Sequence, residues 1–488
     1  MMKILIASPE VYPFVKTGGL ADVTGALPKA LKKLGVDARV ILPKHKGIDE
    51  SRFPLKYKNY KIACQISMGF VEAEIVESEY DDGVIAYLVE QDEYYNRDYL
   101  YSTPDGDYQD NATRFIFFSK SILEAIKVTG FKPNVLHCND WETALAPVFL
   151  KTIYKDDPQL KDIATLFTIH NIGYQGIFWQ YDMHLLNLGW EYFSPDYLEF
   201  FGNINFMKGG IIFSDIINTV SKKYSEEIQT PEFGYGLDGV LRTRKNDLYG
   251  IINGIDYDEW NPETDELLPA RYSNRNLKNK TICKKTLLKE FNIEQNEDYP
   301  LIATISRLAE QKGFDLIVSG IEEMLSLGVN YVVLGTGERK YHEILNELSK
   351  KFSRSFAVKI SYDNKLAHLI EAGADMFLMP SRYEPCGLNQ LYSLKYGTVP
   401  IVRAVGGLDD TIIDYTENPE IGTGFKFREY TKEAMLDAIK RAIGLYKNRD
   451  LWQSLMIRCM KEDYSWERSA KEYIELYKKA IDRHKSKQ

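Results

Sequence analysis

Met376-Phe377-Leu378-Met379-Pro380-Ser381-Arg382-Tyr383-Glu384-Pro385-Cys386-Gly387-Leu388-Asn389-Gln390 reads as an apolar strand, a loop carrying charge and glycine, and the start of a helix. A similar sequence of elements lies near the other end of the chain. There the apolar run Ile4–Ala7 passes through a Pro-bearing turn into Lys16-Thr17-Gly18-Gly19-Leu20-Ala21-Asp22, followed by a helical pattern. A helix N-terminus offers unpaired N–H groups and a partial positive charge, which suits a phosphate. Two such loops from separate domains would grip one diphosphate-bearing ligand, and that points to the chemistry of activated sugars.

The 488 residues exceed the size at which one core stops growing, so two domains are expected. A hydrophobic content of 44% and a charged content of 27% are ordinary for a water-soluble globular chain. The net charge of −9 argues against general attraction to nucleic acid or anionic membrane, but leaves room for a local basic pocket. Cys64, Cys138, Cys283, Cys386 and Cys459 are scattered and contain no Cys-x-x-Cys pair, which disfavours a disulfide framework or structural zinc. The start of the chain carries no signal-peptide pattern, and no stretch approaches the roughly 18 apolar residues of a membrane span. The expected location is a reducing cytoplasm.

Strands and helices alternate along both halves. Leu20, Val23, Leu27, Leu31 and Leu34 recur at three- and four-residue steps, predicting a helix that Gly35 stops before the strand Val36–Leu42. Val135–Cys138, Ala164–Ile169 and Asp215–Ser221 read as further strands, and Ile251–Asp256 as a strand running into a turn. A polar, Asn/Lys-rich stretch follows, and Leu301–Ser306 starts the pattern afresh. This organisation predicts Rossmann-like domains over 1–248 and 249–462, with a closing helical segment over 463–488. Doubly wound parallel sheets bind ligands at the carboxyl ends of their strands.

The candidate residues cluster at such ends. Two glycines beside Lys16 permit close backbone approach to an anion, although a plain strand–helix turn would read the same way. Arg307 and Lys312 follow the strand Leu301–Ser306, where two cations suit a diphosphate leaving group or form a solvated surface pair. Glu384 would hold sugar hydroxyls or stabilise positive charge on a sugar ring; the alternative is an exposed acid. Cys386 has no His near it in sequence and reads as a packing residue at a helix start. His170 and Asp140-Trp141 also end strands, and an acid beside an indole suits the edge and face of a sugar. Neither G-x-G-x-x-G nor Walker A is present, and no cluster has metal-ligand spacing, so no metal and no cofactor are expected.

Taken together, the chain closely resembles the glycogen and starch synthases, retaining α-1,4-glucan synthases. The resemblance is carried by Lys16–Val23, His137-Cys138-Asn139-Asp140-Trp141, His170-Asn171, Asn253-Gly254-Ile255-Asp256, Ser306-Arg307-Leu308, Gln311-Lys312-Gly313 and Arg382–Leu388. Gly397-Thr398-Val399-Pro400 and Gly406-Gly407-Leu408 extend it. It implies an α/β fold of the GT-B type, two doubly wound Rossmann-like domains facing each other across a deep cleft. It implies glucose transfer from ADP-glucose, with retention, to the non-reducing-end 4-hydroxyl of an α-1,4-glucan. The partners would be ADP-glucose and glycogen or a maltooligosaccharide, with no nucleic acid and no membrane.

By the same resemblance the catalytic set is Lys16, His170, Arg307, Lys312 and Glu384. Donor contacts fall to Lys16, Gly18, Gly19, Asp22, Asn253, Arg307, Lys312, Tyr362, Glu384, Cys386, Gly387 and Leu388, with Tyr362 on adenine. Acceptor contacts fall to Tyr95, Asp140, Trp141, His170 and Asn171, and the closing helix would cross back to the first domain. Cys138-Asn139 stands where the family often has Ala-His, Tyr383 replaces Phe, Ser361 replaces Gly before Tyr362, and Asn389 stands where many bacterial members have Thr. An α-glucan phosphorylase shares the architecture but needs lysine-bound pyridoxal phosphate, for which no motif is present. A non-enzymatic glucan-binding protein would leave Arg307, Lys312 and both anion loops unexplained.

Overall fold

The computed structural model describes residues 1–81, 83–294 and 298–486. Residues 82, 295–297 and 487–488, which fall within the three segments expected above, lie outside the described residues. The chain divides into two compact units: Met1–Val220 with Ser225–Gly254 and Trp466–Gln488, and Ser221–Tyr224 with Ile255–Ser465.

The first unit is built on a nine-stranded sheet among the described residues. Its strands are β1 (Lys3–Ala7), β2 (Asp37–Pro43), β3 (Lys56–Ile66), β4 (Gly69–Tyr80), β5 (Val84–Glu90), β6 (Val135–Asn139), β7 (Ala164–Ile169), β8 (Ile216–Thr219) and β9 (Leu248–Gly250). The order is β9-β8-β7-β6-β1-β2-β5-β4-β3. Pairing is parallel from β9 to β5, whereas β4 runs antiparallel to both β5 and β3. This antiparallel edge departs from the wholly parallel sheet expected. Its trace in the sequence is the alternation of Ile62, Cys64 and Ile66, buried between exposed neighbours. Helix α1 (Gly19–Lys33) buries Val23, Leu27 and Leu31, and α2 (Asn111–Thr129) buries Phe115, Ile116, Phe117 and Phe118.

The terminal helix Trp466–Lys485 lies in this first unit. Trp466, Ala470, Tyr473, Tyr477 and Ala480 form its buried stripe, packed with α1 and β7. Its polar atoms are satisfied inside the core: the Tyr477 hydroxyl meets His137 Nδ1 at 2.9 Å, and Asn218 Nδ2 donates to the Tyr473 hydroxyl at 3.2 Å. Near its end Asp215 lies 3.2 Å from His484 and 3.3 Å from Lys151, and these neighbours hold its carboxyl well below the usual range against the cost of burial. Ile251–Asp256 is not the strand predicted. The ladder ends at β9, and Ile255 instead makes a single parallel bridge to Ser465, its N–H donating to the Tyr464 carbonyl at 2.8 Å.

The second unit has a six-stranded, wholly parallel sheet among the described residues: β10 (Leu301–Ile305), β11 (Asn330–Leu334), β12 (Phe356–Lys359), β13 (Met376–Met379), β14 (Val399–Arg403) and β15 (Phe425–Phe427). Its order β12-β11-β10-β13-β14-β15 is the 3-2-1-4-5-6 arrangement of a doubly wound nucleotide-binding fold. The segment leading into it is anchored by Trp260, stacked between His368 and Tyr392 with ring centroids 3.8 and 3.9 Å away.

Candidate active site

In each unit the order of strands reverses between two central neighbours, and the chain leaves them toward opposite faces. Ligands of open α/β sheets bind at that reversal. In the second unit it lies between β10 and β13, and the chain after these strands carries Arg307, Lys312 and Glu384. Lys312 Nζ donates to both Glu384 oxygens, at 2.8 and 2.6 Å. Ser381 Oγ donates to Glu384 Oε2 at 3.0 Å, so the buried carboxylate is held from two sides. Arg307 is exposed and reaches Gln311 Oε1 at 2.8 Å, which keeps its guanidinium beside the Lys312 turn.

Glycines make this packing possible. Gly313 sits at φ +79, and a Cβ there would lie 2.1 Å from the Pro380 carbonyl oxygen. Gly406 and Gly407 bring their backbone against the Glu384 and Cys386 carbonyls, where a Cβ would approach to 2.0 Å in each case. Helix α3 (Asn389–Tyr396) begins just after Leu388 with no side-chain cap. Among the described residues the N–H groups of Gly387 and Leu388 donate to no protein acceptor, which leaves them for an anion. Cys386 is buried, as a packing residue would be, and Tyr362 presents its ring to solvent at 81% exposure.

In the first unit the reversal lies between β1 and β6. The loop after β1 is organised by Glu10, a buried acid passed over in the sequence although it follows β1 by only three positions. Its Oε2 accepts the Thr17 N–H, the Thr17 hydroxyl at 2.8 Å and the Gly18 N–H at 3.3 Å. The Gly18 amide is therefore already engaged with a carboxylate, and Gly19 is the first residue of α1, whose start has no side-chain cap. Lys16 Nζ pairs with Asp22 Oδ1 at 2.7 Å. Burial raises the carboxyl pKa of Glu10 and Asp22, in the latter case against the pull of Lys16.

After β6 and β7 come Asp140, Trp141, His170 and Asn171. Asp140 adopts φ 54 and its carboxylate accepts the His170 backbone N–H at 2.7 Å, tying the ends of these two strands together. It thus positions the His170 backbone. Burial pushes the Asp140 carboxyl up and the His170 imidazole down to about 3, so the ring is neutral near pH 7. Asn171 Oδ1 accepts the Gly173 N–H at 3.0 Å. Trp141 is half-buried among Phe115, Phe178 and Phe206, and Gly176 lies so close to its ring that a Cβ would fall 2.4 Å away.

Tyr95 and Asn253, also expected at the site, are buried in this structure. Tyr95 has 0% exposure and donates its hydroxyl to the Arg114 carbonyl at 2.9 Å, so here its ring is a packing element of the first unit. Asn253 is 5% exposed and its Oδ1 has no hydrogen-bond partner, an unsatisfied acceptor near the end of the first unit's central segment. Among the described residues no group of three His, Cys, Asp or Glu side chains could hold a metal ion.

Residues 3–243 match the family described as the starch synthase catalytic domain, and residues 287–454 match glycosyl transferases group 1. A glycogen synthase of Koribacter versatilis is 47% identical over 98% of this chain and 98% of its own. A glycogen synthase of Thermosipho africanus is also 47% identical, over 99% of this chain and all, 100%, of its own. The solved catalytic domain of starch synthase IV from Arabidopsis thaliana, bound to ADP and acarbose, superposes with a TM-score of 0.90 at 31% identity, covering 99% of both chains. A sucrose-phosphate synthase from Thermosynechococcus elongatus shares the fold at a TM-score of 0.60 and 16% identity. With two Rossmann-like units whose strand reversals carry these loops, and with full-length relatives at this identity, the chain belongs to the glycogen and starch synthase family of GT-B glycosyltransferases.

Proposed function

We propose that this protein transfers glucose from ADP-glucose, with retention of the α configuration, to the non-reducing-end 4-hydroxyl of an α-1,4-glucan, releasing ADP. The observation that carries this reading is the Lys312–Glu384 pair at the strand reversal of the second unit, beside Arg307 and the undonated N–H groups of Gly387 and Leu388. The cation and the carboxylate satisfy each other in this structure. A diphosphate competes for Lys312, and the released carboxylate becomes an acceptor for sugar hydroxyls. Arg307 and Lys312 then hold the leaving ADP as its charge grows, an interaction strongest in the transition state. The exposed Tyr362 ring offers a stacking surface to adenine, and the starch synthase IV relative bound to ADP supports that donor.

In the first unit, Lys16 and the α1 N-terminus would meet the donor phosphates, with Asp22 freed from its pairing with Lys16. Neutral His170 would contact the donor glucose, and Trp141 and Asn171 would meet the glucan. Among the described residues Glu384 is the one carboxylate this reading places near the sugar, and once released from Lys312 it is taken up by sugar hydroxyls, which favours front-face departure and attack through an oxocarbenium-like state. Incubation with glycogen and either ADP-glucose or UDP-glucose, assayed by nucleoside diphosphate release, tests the reading. A clear kcat/KM preference for UDP-glucose overturns the donor, a β-linked product overturns retention, and a glucosyl group trapped on Glu384 overturns the front-face step.

A further inference from the structure

Successive side chains on a strand point to opposite faces, so His137 and Asn139 on β6 share one face. His137 is locked into the core: Nδ1 meets the Tyr477 hydroxyl at 2.9 Å and Nε2 the Thr168 hydroxyl at 2.8 Å. Asn139 is fully buried, and its amide has two distinct ends. The NH₂ group only donates and the oxygen only accepts. Nδ2 faces the Ala7 carbonyl at 3.0 Å, which takes nothing but a donor. The amide oxygen is therefore directed at His170, 2.9 Å from Nε2. An amide oxygen accepts, so Nε2 must carry the hydrogen. A neutral imidazole has only one, and Nδ1 is left with its lone pair. Among the described residues nothing donates to that nitrogen.

We infer that Asn139 is a positioning residue that fixes the tautomer of His170, and thereby makes its Nδ1 a hydrogen-bond acceptor for a hydroxyl of the donor sugar. The sugar half of this inference rests on the proposed function; the tautomer half does not. An Nδ1 acceptor selects a group that donates, which a sugar hydroxyl does and a phosphate oxygen does not. The His that the family often carries at position 139 can present either a donor or an acceptor, so this selection belongs to the Asn. The titratable groups around the ring are Asp140, whose carboxylate takes the His170 backbone N–H, and His137, itself held neutral by burial.

The test uses the full chain labelled with ¹⁵N-histidine, its His170 signal assigned by comparison with His170→Gln. Long-range ¹H–¹⁵N spectra of the unmodified sequence should show a protonated Nε2 and a bare Nδ1 between about pH 6 and pH 8. A protonated Nδ1 overturns the proposal without any variant being made. In Asn139→Asp the carboxylate should stabilise an imidazolium, so that His170 titrates within the accessible range and transfer falls on the acid side with the same midpoint. A folded Asn139→Asp protein whose His170 remains neutral throughout also overturns it. For the sugar, donor analogues lacking one hydroxyl at a time are compared. One of them should lose about tenfold or more in kcat with Asn139 in place, and much less of that loss should remain in Asn139→Leu. Equal losses in both proteins overturn the sugar contact. No transfer from ADP-glucose at all would defeat the functional reading while leaving the tautomer result standing.

Discussion

The two units carry different electrostatics at the same kind of strand reversal, although each has one lysine–carboxylate pair, Lys312–Glu384 and Lys16–Asp22. At the strand reversal of the second unit a cation and a carboxylate meet in a tight bidentate pair, with an arginine beside them. At the reversal of the first unit the buried groups are acids whose protonated forms are favoured by burial, Glu10, Asp140 and Glu142, and an imidazole held neutral. Under the proposed function, an exchangeable ion pair suits a site that would accept and release a diphosphate. In the proposed reaction, buried acids biased toward their protonated forms and a neutral imidazole would suit hydrogen bonding to sugar hydroxyls, where fixed charge would cost desolvation without a counter-ion. In the proposed reaction the same reversal of strand order would thus serve two chemistries, and the difference lies in which side chains sit at the ends of the strands.

The largest effect should come from the second unit. Lys312→Ala, Arg307→Ala and Glu384→Ala are each expected to lower kcat on the order of 10²–10³ with little change in glycogen KM, as steady-state assays will measure. Near-normal turnover in all three would reduce this cluster to a structural salt bridge. A double variant, Lys312→Met with Glu384→Leu, should keep the thermal stability that the single Lys312→Ala loses by leaving a buried carboxylate alone, yet stay inactive.

The first unit should respond more mildly. Asp140→Ala removes the acceptor of the His170 backbone N–H, and kcat is expected to drop by about tenfold, the effect of one lost buried hydrogen bond. The variant should fold with the same calorimetric profile. A kcat loss as large as that of Lys312→Ala would mean that Asp140 acts on the reacting atoms directly.

Stability against pH sharpens the contrast further. Burial raises the carboxyl pKa of Glu142, whose Oε2 has no partner, well above the usual carboxylate range, and pushes the Glu371 carboxyl in the second unit up to about 8. Each folded state then binds a proton more tightly than the unfolded chain. Stability is fully present below the ordinary carboxyl range and is lost as pH rises through the folded pKa. Glu142→Gln and Glu371→Gln should therefore raise Tm at pH 8 by about 2–4 °C for each kcal/mol relieved, and much less at pH 4.5. An equal shift at both pH values in scanning calorimetry would assign the gain to packing and not to ionisation.

The smallest effect belongs to Tyr362→Ala. The ring is 81% exposed, so Tm should not move, whereas KM for ADP-glucose should rise by about two- to tenfold and the preference over UDP-glucose should shrink. Unchanged kinetics with both donors would remove adenine stacking from the account.

Much of the candidate site could be proposed from sequence because its groups are local along the chain. Lys16, Gly18 and Gly19 lie on one loop, as do Glu384, Cys386 and Gly387, and each loop follows a run of apolar residues that can only be a buried strand. Arg307 and Lys312 were legible for the same reason. Tyr95 was not: an aromatic residue looks the same to a pattern reader whether it faces a ligand or, as here, lies under Arg114. Asp140 was found, but its work on the His170 backbone was not, because the two are 30 positions apart and meet only through the pairing of β6 with β7. Glu10 escaped because a lone acid after a strand carries no signal until its acceptors are seen. The edge β3–β4 escaped because its apolar residues alternate with charged ones and its continuous hydrophobicity is low.

By itself the sequence determined the strand–helix alternation, the apolar stripes and the anion-suited loops, since each depends on residues within a few positions of one another. Tertiary structure alone decided which N–H groups remain open, which acids burial pushes toward their protonated forms, and what faces each end of the Asn139 amide. Those properties depend on partners brought close by strand pairing and burial: Ala7 and His170 on either side of Asn139, Tyr477 against His137, and Glu384 against Lys312. Hydrogen-bond satisfaction and desolvation are set by the distances between groups in space, and the order of residues along a chain does not contain those distances.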